Sequence, residues 1–148
     1  MLLPTSGRWN FHLKHDIHKD KYFDKTISKK GRAKFDAALD HLSIMAKDKW
    51  QRPHASPVNN SKYVIRFADE NRKQHRLFGD FYDEHSVFVI TLTGYEKDNV
   101  YYPKDYVRIM DAYQELCHAD FHYYTRALAG RCALCDGDNA SCAFRLYA

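Results

Sequence analysis

The sequence predicts an α+β fold, and three observations carry that prediction. Residues 8–14 alternate apolar with polar side chains, residues 28–46 switch to apolar spacings of three and four, and residues 62–93 hold three strand-like runs divided by two short polar turns. With a second helical stripe after residue 103, the order is strand, helix, strand, strand, strand, helix. Such an order predicts a small antiparallel sheet with helices packed on one face.

In the first strand Trp9, Phe11 and Leu13 alternate with Asn10, His12 and Lys14. Residues 15–27 are polar with Ile17, Tyr22, Phe23 and Ile27 interspersed, which fits either a connection or a short helix. From Ser28, an available N-cap, the recurrence of Phe35, Leu39, Leu42, Met45 and Ala46 predicts an amphipathic helix over about 29–49. Residues 51–61 (QRPHASPVNNS) carry prolines and asparagines that end this helix and predict a surface loop.

Three strands follow. Residues 62–68 set Tyr63, Ile65 and Phe67 against Val64 and Arg66; residues 74–82 set Arg76, Phe78, Asp80 and Tyr82 against His75, Leu77, Gly79 and Phe81. Residues 87–93 (VFVITLT) are almost wholly apolar, the pattern of a central strand covered on both faces. Residues 94–102 read as a polar and aromatic loop, and Pro103 can open a helix without losing a needed N–H. That helix carries Tyr106, Ile109, Met110, Tyr113, Leu116 and Cys117 on one stripe, with room to continue through Phe121, Tyr124 and Leu128 to Gly130.

At 148 residues, 45% hydrophobic and 28% charged, the composition is that of one soluble domain rather than a disordered chain. No stretch reaches the roughly 18 apolar residues of a membrane span, and the N-terminus lacks the pattern of a secretory signal, so the expected location is the cytoplasm with no membrane partner. The net charge of +4 is uneven: residues 1–59 hold 12 Lys/Arg against 6 Asp/Glu, and residues 111–148 hold 3 against 5. The basic front half would attract a polyanion such as RNA, although a solvated basic helix explains the charge equally well.

Residues 63–116 resemble the core of the RelE/HigB-like toxins of type II toxin–antitoxin systems, phage-derived members included. The elements that carry the likeness are Arg66 on one strand, His75-Arg76-Leu77-Phe78 on the next, the apolar run 87–93, Gly94-Tyr95-Glu96-Lys97, and the helix opened by Pro103. The order of the preceding strand and helix extends it to about residues 8–118. The loop departs from the family pattern, carrying Glu96 and Asp98 beside the single Lys97.

The resemblance implies a toxin domain over residues 1–130 that cleaves mRNA, often on the ribosome, without a metal or other cofactor, and that an antitoxin protein holds inactive. The chemistry would be attack of a ribose 2′-hydroxyl on the adjacent phosphate, which needs a base, cations for the developing charge and an acid for the leaving oxygen. By motif position Arg76 would grip the scissile phosphate, Arg66 would assist, Lys97 would add a cation or proton carrier, and Tyr101 or Tyr102 would stack on a base or donate a proton. The catalytic set is then Arg76, Arg66, Lys97 and Tyr102, with RNA contacts from Lys62, Arg72, Lys73, Tyr95 and Tyr101. From the residues alone, Arg76 is a surface strand arginine and either tyrosine packs on the next helix. His75 adds a titratable imidazole but should face away from Arg76.

The alternative on the same fold is a module without nuclease activity that binds an antitoxin or DNA gyrase. The tail, residues 131–148, is set apart by its cysteines. Cys132, Cys135 and Cys142 with His122 have the elements of a zinc site but match no strong zinc spacing, so free thiols, a structural metal and a disulfide all stay open for them.

Overall fold

The computed structural model describes residues 9–14, 22–59, 61–83, 86–112 and 121–123. Among these are seven strands: β1 (Asn10–Lys14), β2 (Ala55–Asn59), β3 (Lys62–Ala68), β4 (Gln74–Tyr82), β5 (Val87–Lys97), β6 (Val100–Tyr102) and β7 (Phe121–Tyr123). Two α-helices, α1 (Lys29–Ser43) and α2 (Tyr106–Ala112), complete an α+β fold. The strands form one sheet in the order β2-β3-β4-β5-β1-β7, with β6 hydrogen-bonded to the far end of β5.

The sheet is mixed where an antiparallel one was expected. β2 to β5 form consecutive antiparallel pairs, but β1 inserts beside β5 in parallel, Asn10 opposite Val87 and Leu13 opposite Ile90. The apolar β5 is therefore central, and Val87, Phe88, Val89 and Ile90 are fully buried.

The helices occupy both faces of the sheet, again unlike the expectation. Phe35, Leu39 and Leu42 of α1 pack with Phe11, Leu13, Ile65, Leu77, Phe81, Phe88 and Ile90 in the main core. Met110 of α2 packs on the reverse face against Val64 and Phe78, with Tyr101 and Tyr106 at the border. Strand alternation makes this possible, since Val64 and Ile65, or Leu77 and Phe78, point in opposite directions.

The first helix starts as expected, the Ser28 side chain accepting from the Gly31 N–H at 3.0 Å. It ends at Ser43 rather than near 49, and a 3₁₀ turn follows over Lys47–Lys49. The two tryptophans account for the early end. Trp50 Nε1 donates to Leu42 O at 3.1 Å, the Trp9 N–H donates to Ser43 O at 2.6 Å, and Trp9 Nε1 donates to Met45 O at 3.0 Å. The carbonyls that would continue the helical ladder are thus already occupied.

Three further expectations are corrected. The surface loop 51–61 contains β2, which tolerates Pro57 because it is an edge strand and bulges between Pro57 and Asn59. The loop 94–102 is instead a hairpin: β5 runs on to Lys97, Asp98 and Asn99 turn with φ of 53° and 62°, and β6 returns. The last helix does not continue through Phe121, because Phe121–Tyr123 pairs antiparallel with β1. Residues 15–27, left open between a connection and a helix, include a π-helical turn over Tyr22–Thr26. The tail 131–148 lies outside the described residues.

Candidate functional site

Arg66 and Arg76 are register partners across the β3–β4 ladder and project from the face that carries α2. Glu96, two residues past Gly94 on β5, completes the group: its Oε1 lies 3.0 Å from Arg76 Nη2 and 3.4 Å from Arg66 Nη2. Tyr101 on β6 lies opposite Glu96, and its hydroxyl accepts from Arg66 Nη1 at 2.6 Å. The turn at Asp98 and Asn99 is what brings these two side chains onto the same face. Two guanidiniums, one carboxylate and one phenol thus meet, leaving one positive charge uncompensated among the described residues.

Arg76 is almost fully buried, at 3% exposure, and also donates to His75 O at 2.7 Å. Burial and the neighbouring Arg66 lower its pKa from the ordinary guanidinium value, and Glu96 opposes both. An arginine stays charged under such pressure, so the site holds a fixed cation that cannot be quenched by proton loss.

The cleft that Arg66 and Arg76 enter lies where β2 gives out. β2 begins at Ala55, opposite Ile65, so the last residues of β3 lie beyond its reach, and the Arg66 N–H donates to His54 O in the preceding loop. The opening has a volume of about 620 Å³ and is bounded by Lys34, Ala37, Ala38 and His41 of α1, Arg52 and His54 of the loop, and the two arginines. Ala37 and Ala38 leave the space that larger side chains would fill. A second hollow shares Arg52 and continues past Glu96 and Tyr101 to Lys104.

His41 and His54 face each other with ring centroids 4.0 Å apart. Burial and the proximity of His41 lower the pKa of His54. Sequence reasoning missed Lys34, His41, Arg52 and His54. Lys34 and His41 stand at i and i+7 on one side of the helix with Ala37 and Ala38 between, a pattern legible in the sequence, but nothing there tells that this side overlooks a sheet edge.

The sequence-derived site divides between two faces. Arg66, Arg76 and Tyr101 come together. Lys97 and Tyr102 do not join them, because each is one residue out of phase with Glu96 and Tyr101 on paired strands. Tyr102 stacks on Tyr95, centroids 5.0 Å apart, and Lys73 lies 5.5 Å over the Tyr95 ring. These residues line a separate hollow with Tyr22, Thr93 and Gly94. Lys62, expected to contact RNA, is buried and ion-paired to Asp80 and Asp111, each at 3.4 Å. Arg72 is exposed in the β3–β4 turn with a φ of 64°.

His75 faces away from Arg76, as alternation predicts. Its Nδ1 meets the Tyr22 hydroxyl at 2.8 Å and its Nε2 meets Asp69 Oδ2 at 2.9 Å. Fully buried, it is a structural group that ties the β3–β4 turn to the π-helical turn.

Among the described residues no group of three or more His, Cys, Asp or Glu side chains could hold a metal ion. Cys132, Cys135 and Cys142 lie outside those residues, and His122 is placed only as the middle of β7. No described helix is long and apolar enough to cross a membrane. Compared with protein-family models, with curated proteins and with solved structures, the chain matches none of them.

Proposed function

We propose that the chain is a RelE/HigB-like toxin that grips RNA through its phosphates in the cleft beside β3 and cuts it there, with mRNA as substrate and an antitoxin protein as its regulating partner. The observation that supports this reading most is the meeting of Arg66, Arg76, Glu96 and Tyr101 at a cleft whose other charged and titratable lining groups among the described residues, Lys34, Arg52, His41 and His54, are all basic. Paired guanidiniums match the geometry of a phosphate, and the shared Arg52 would carry the strand from one hollow to the next.

In the cleavage step Glu96 accepts the proton of the ribose 2′-hydroxyl, whose oxygen bonds to phosphorus. The phosphorus–O5′ bond breaks, and O5′ takes the proton of the Tyr101 hydroxyl, giving a 2′,3′-cyclic phosphate and a free 5′-hydroxyl. Arg66 and Arg76 offset the charge that builds on the phosphoryl oxygens. Arg66, already donating to the Tyr101 oxygen, also stabilises the phenolate left behind. Tyr101 takes the role first given to Tyr102, and Lys97 has none.

The test is incubation of single-stranded RNA with purified wild type, Arg66→Ala and Tyr101→Phe, alongside growth and message integrity on expression in a bacterial host. Cleavage that falls by about 100-fold in either variant supports the assignment. A wild type that neither binds nor cuts RNA overturns it. The closeness of Glu96 to Arg76 favours a second reading, a non-nuclease binding module, and tight binding without cleavage would select that one.

A further inference from the structure

Resting on the reading that the cleft takes RNA, we propose that its outer rim, Lys34, His41, Arg52 and His54, seats a terminal phosphomonoester of the RNA strand. The strand would enter by a phosphorylated end, and the next phosphate along would reach Arg66 and Arg76.

The rim differs from the centre in charge and in kind. At the centre Glu96 offsets one of two arginines, whereas among the described residues no carboxylate lines the cleft itself. The groups facing the histidine pair across it are Lys34 from α1, Arg52 from the loop, Arg66 from β3 and Arg76 from β4, all cationic. Four groups able to carry positive charge thus converge on the rim from a helix and a loop, an excess that one internal phosphodiester, with its single charge, does not need.

The histidines supply the discrimination. Two imidazoles 4.0 Å apart repel one another when both are protonated, and among the described residues no side chain hydrogen-bonds to either ring. An anion bound beside both rings, at the cleft they line, offsets that penalty. A phosphomonoester carries about −1.5 to −2 charges near neutrality, exposes three acceptor oxygens and has a second pKa of about 6, close to the ordinary imidazole value of about 6.5. A phosphodiester has no ionisation in that range. His54, held below the ordinary imidazole value by burial and by His41, carries a proton more often in mild acid than above neutrality, so the preference for a phosphorylated end should be larger near pH 6 than near pH 8.

The experiment measures anisotropy of one short single-stranded RNA sequence, 2′-O-methylated so that it cannot be cut, bearing a 5′-phosphate, a 3′-phosphate or hydroxyls at both ends. Proteins compared are wild type, the double variant His41→Gln/His54→Gln, and Arg66→Ala, each checked for folding by circular dichroism. We expect a phosphorylated end to tighten wild-type binding about tenfold near pH 6 and about twofold or less near pH 8, with the gain lost in the double variant. Whether the 5′ or the 3′ probe shows the gain gives the polarity of the strand.

Equal binding of all three probes overturns the end seat while Arg66→Ala weakening all of them leaves the cleft reading standing. A preference that ignores pH and survives the double variant overturns the role of the histidines. If no probe binds wild type, the reading beneath falls as well.

Discussion

Arg66 and Arg76 stand opposite each other on neighbouring strands and reach for the same oxygen of Glu96, at 3.4 and 3.0 Å. Among the described residues neither guanidinium has a carboxylate of its own, so Glu96 holds together two cations that would otherwise repel. Glu96→Gln should therefore destabilise the fold by about 2 kcal/mol, below the value for a fully buried pair because Glu96 keeps some contact with water. Added phosphate should restore more stability to the variant than to wild type, since an anion can take the place of the carboxylate. Urea denaturation with and without phosphate measures both; a variant as stable as wild type would show that the carboxylate holds nothing together.

The division of the basic residues between two faces gives opposite expectations for two cations of one motif. Arg66→Ala should weaken single-stranded RNA binding and reduce the slope of log K against log salt by about one unit, the mark of one lost phosphate contact. Lys97→Ala should leave both quantities unchanged, because Lys97 is out of phase with the Glu96 and Tyr101 face. Titrations at several salt concentrations decide the matter, and a larger effect at Lys97 than at Arg66 would move the binding surface to the other face.

Trp50 is the aromatic hub beneath α1. Its ring lies 4.5 Å from Phe81, 5.0 Å from Phe88 and 6.0 Å from Phe11 between centroids, and its Nε1 terminates α1. Trp50→Ala removes the packing and the helix stop together and should cost about 3–5 kcal/mol. Trp50→Phe keeps most of the apolar volume and should recover more than half of that loss. Denaturant midpoints of the two variants make the comparison; equal losses would mean that the indole N–H, not the ring, carries the stability.

Much of this architecture was legible because its signals are local. Ser28, the spacing of Phe35, Leu39 and Leu42, and the alternation of His75, Arg76, Leu77 and Phe78 each follow from a single element and hold in the structure. What the sequence hid depends on contacts far apart in the chain. Nothing in residues 8–14 tells that β1 will lie parallel to β5, and nothing in Trp50 tells that its N–H will stop a helix eight residues earlier. The site was half legible for the same reason. The Arg66–Arg76 pairing follows from two adjacent strands, but the phase of Lys97 and Tyr102 depends on a hairpin that turns at Asp98 and Asn99 without a glycine.

The buried relay of Tyr22, His75 and Asp69 should leave its mark on the acid side of the stability profile. Burial pushes the Asp69 carboxyl up. The hydrogen bond with His75, those from the backbone N–H groups of Lys73 and Asn71, and the charge attraction of the imidazole together pull it further down, so its pKa lies below the ordinary carboxylate value. Burial and the nearby Asp69 charge also raise the pKa of the Tyr22 hydroxyl, which pairs with His75 Nδ1 while Nε2 of the same ring pairs with Asp69. A carboxylate whose pKa is depressed by folding adds stability that is complete above its unfolded pKa of about 3.9 and vanishes as pH falls through the lower folded value. Wild type should therefore lead Asp69→Asn in stability at neutral pH, and the lead should narrow only at pH below about 4. Thermal melts of both proteins across the acid range read this directly. A lead that stays constant into strong acid would show that the ionised form of Asp69 is not what the fold selects.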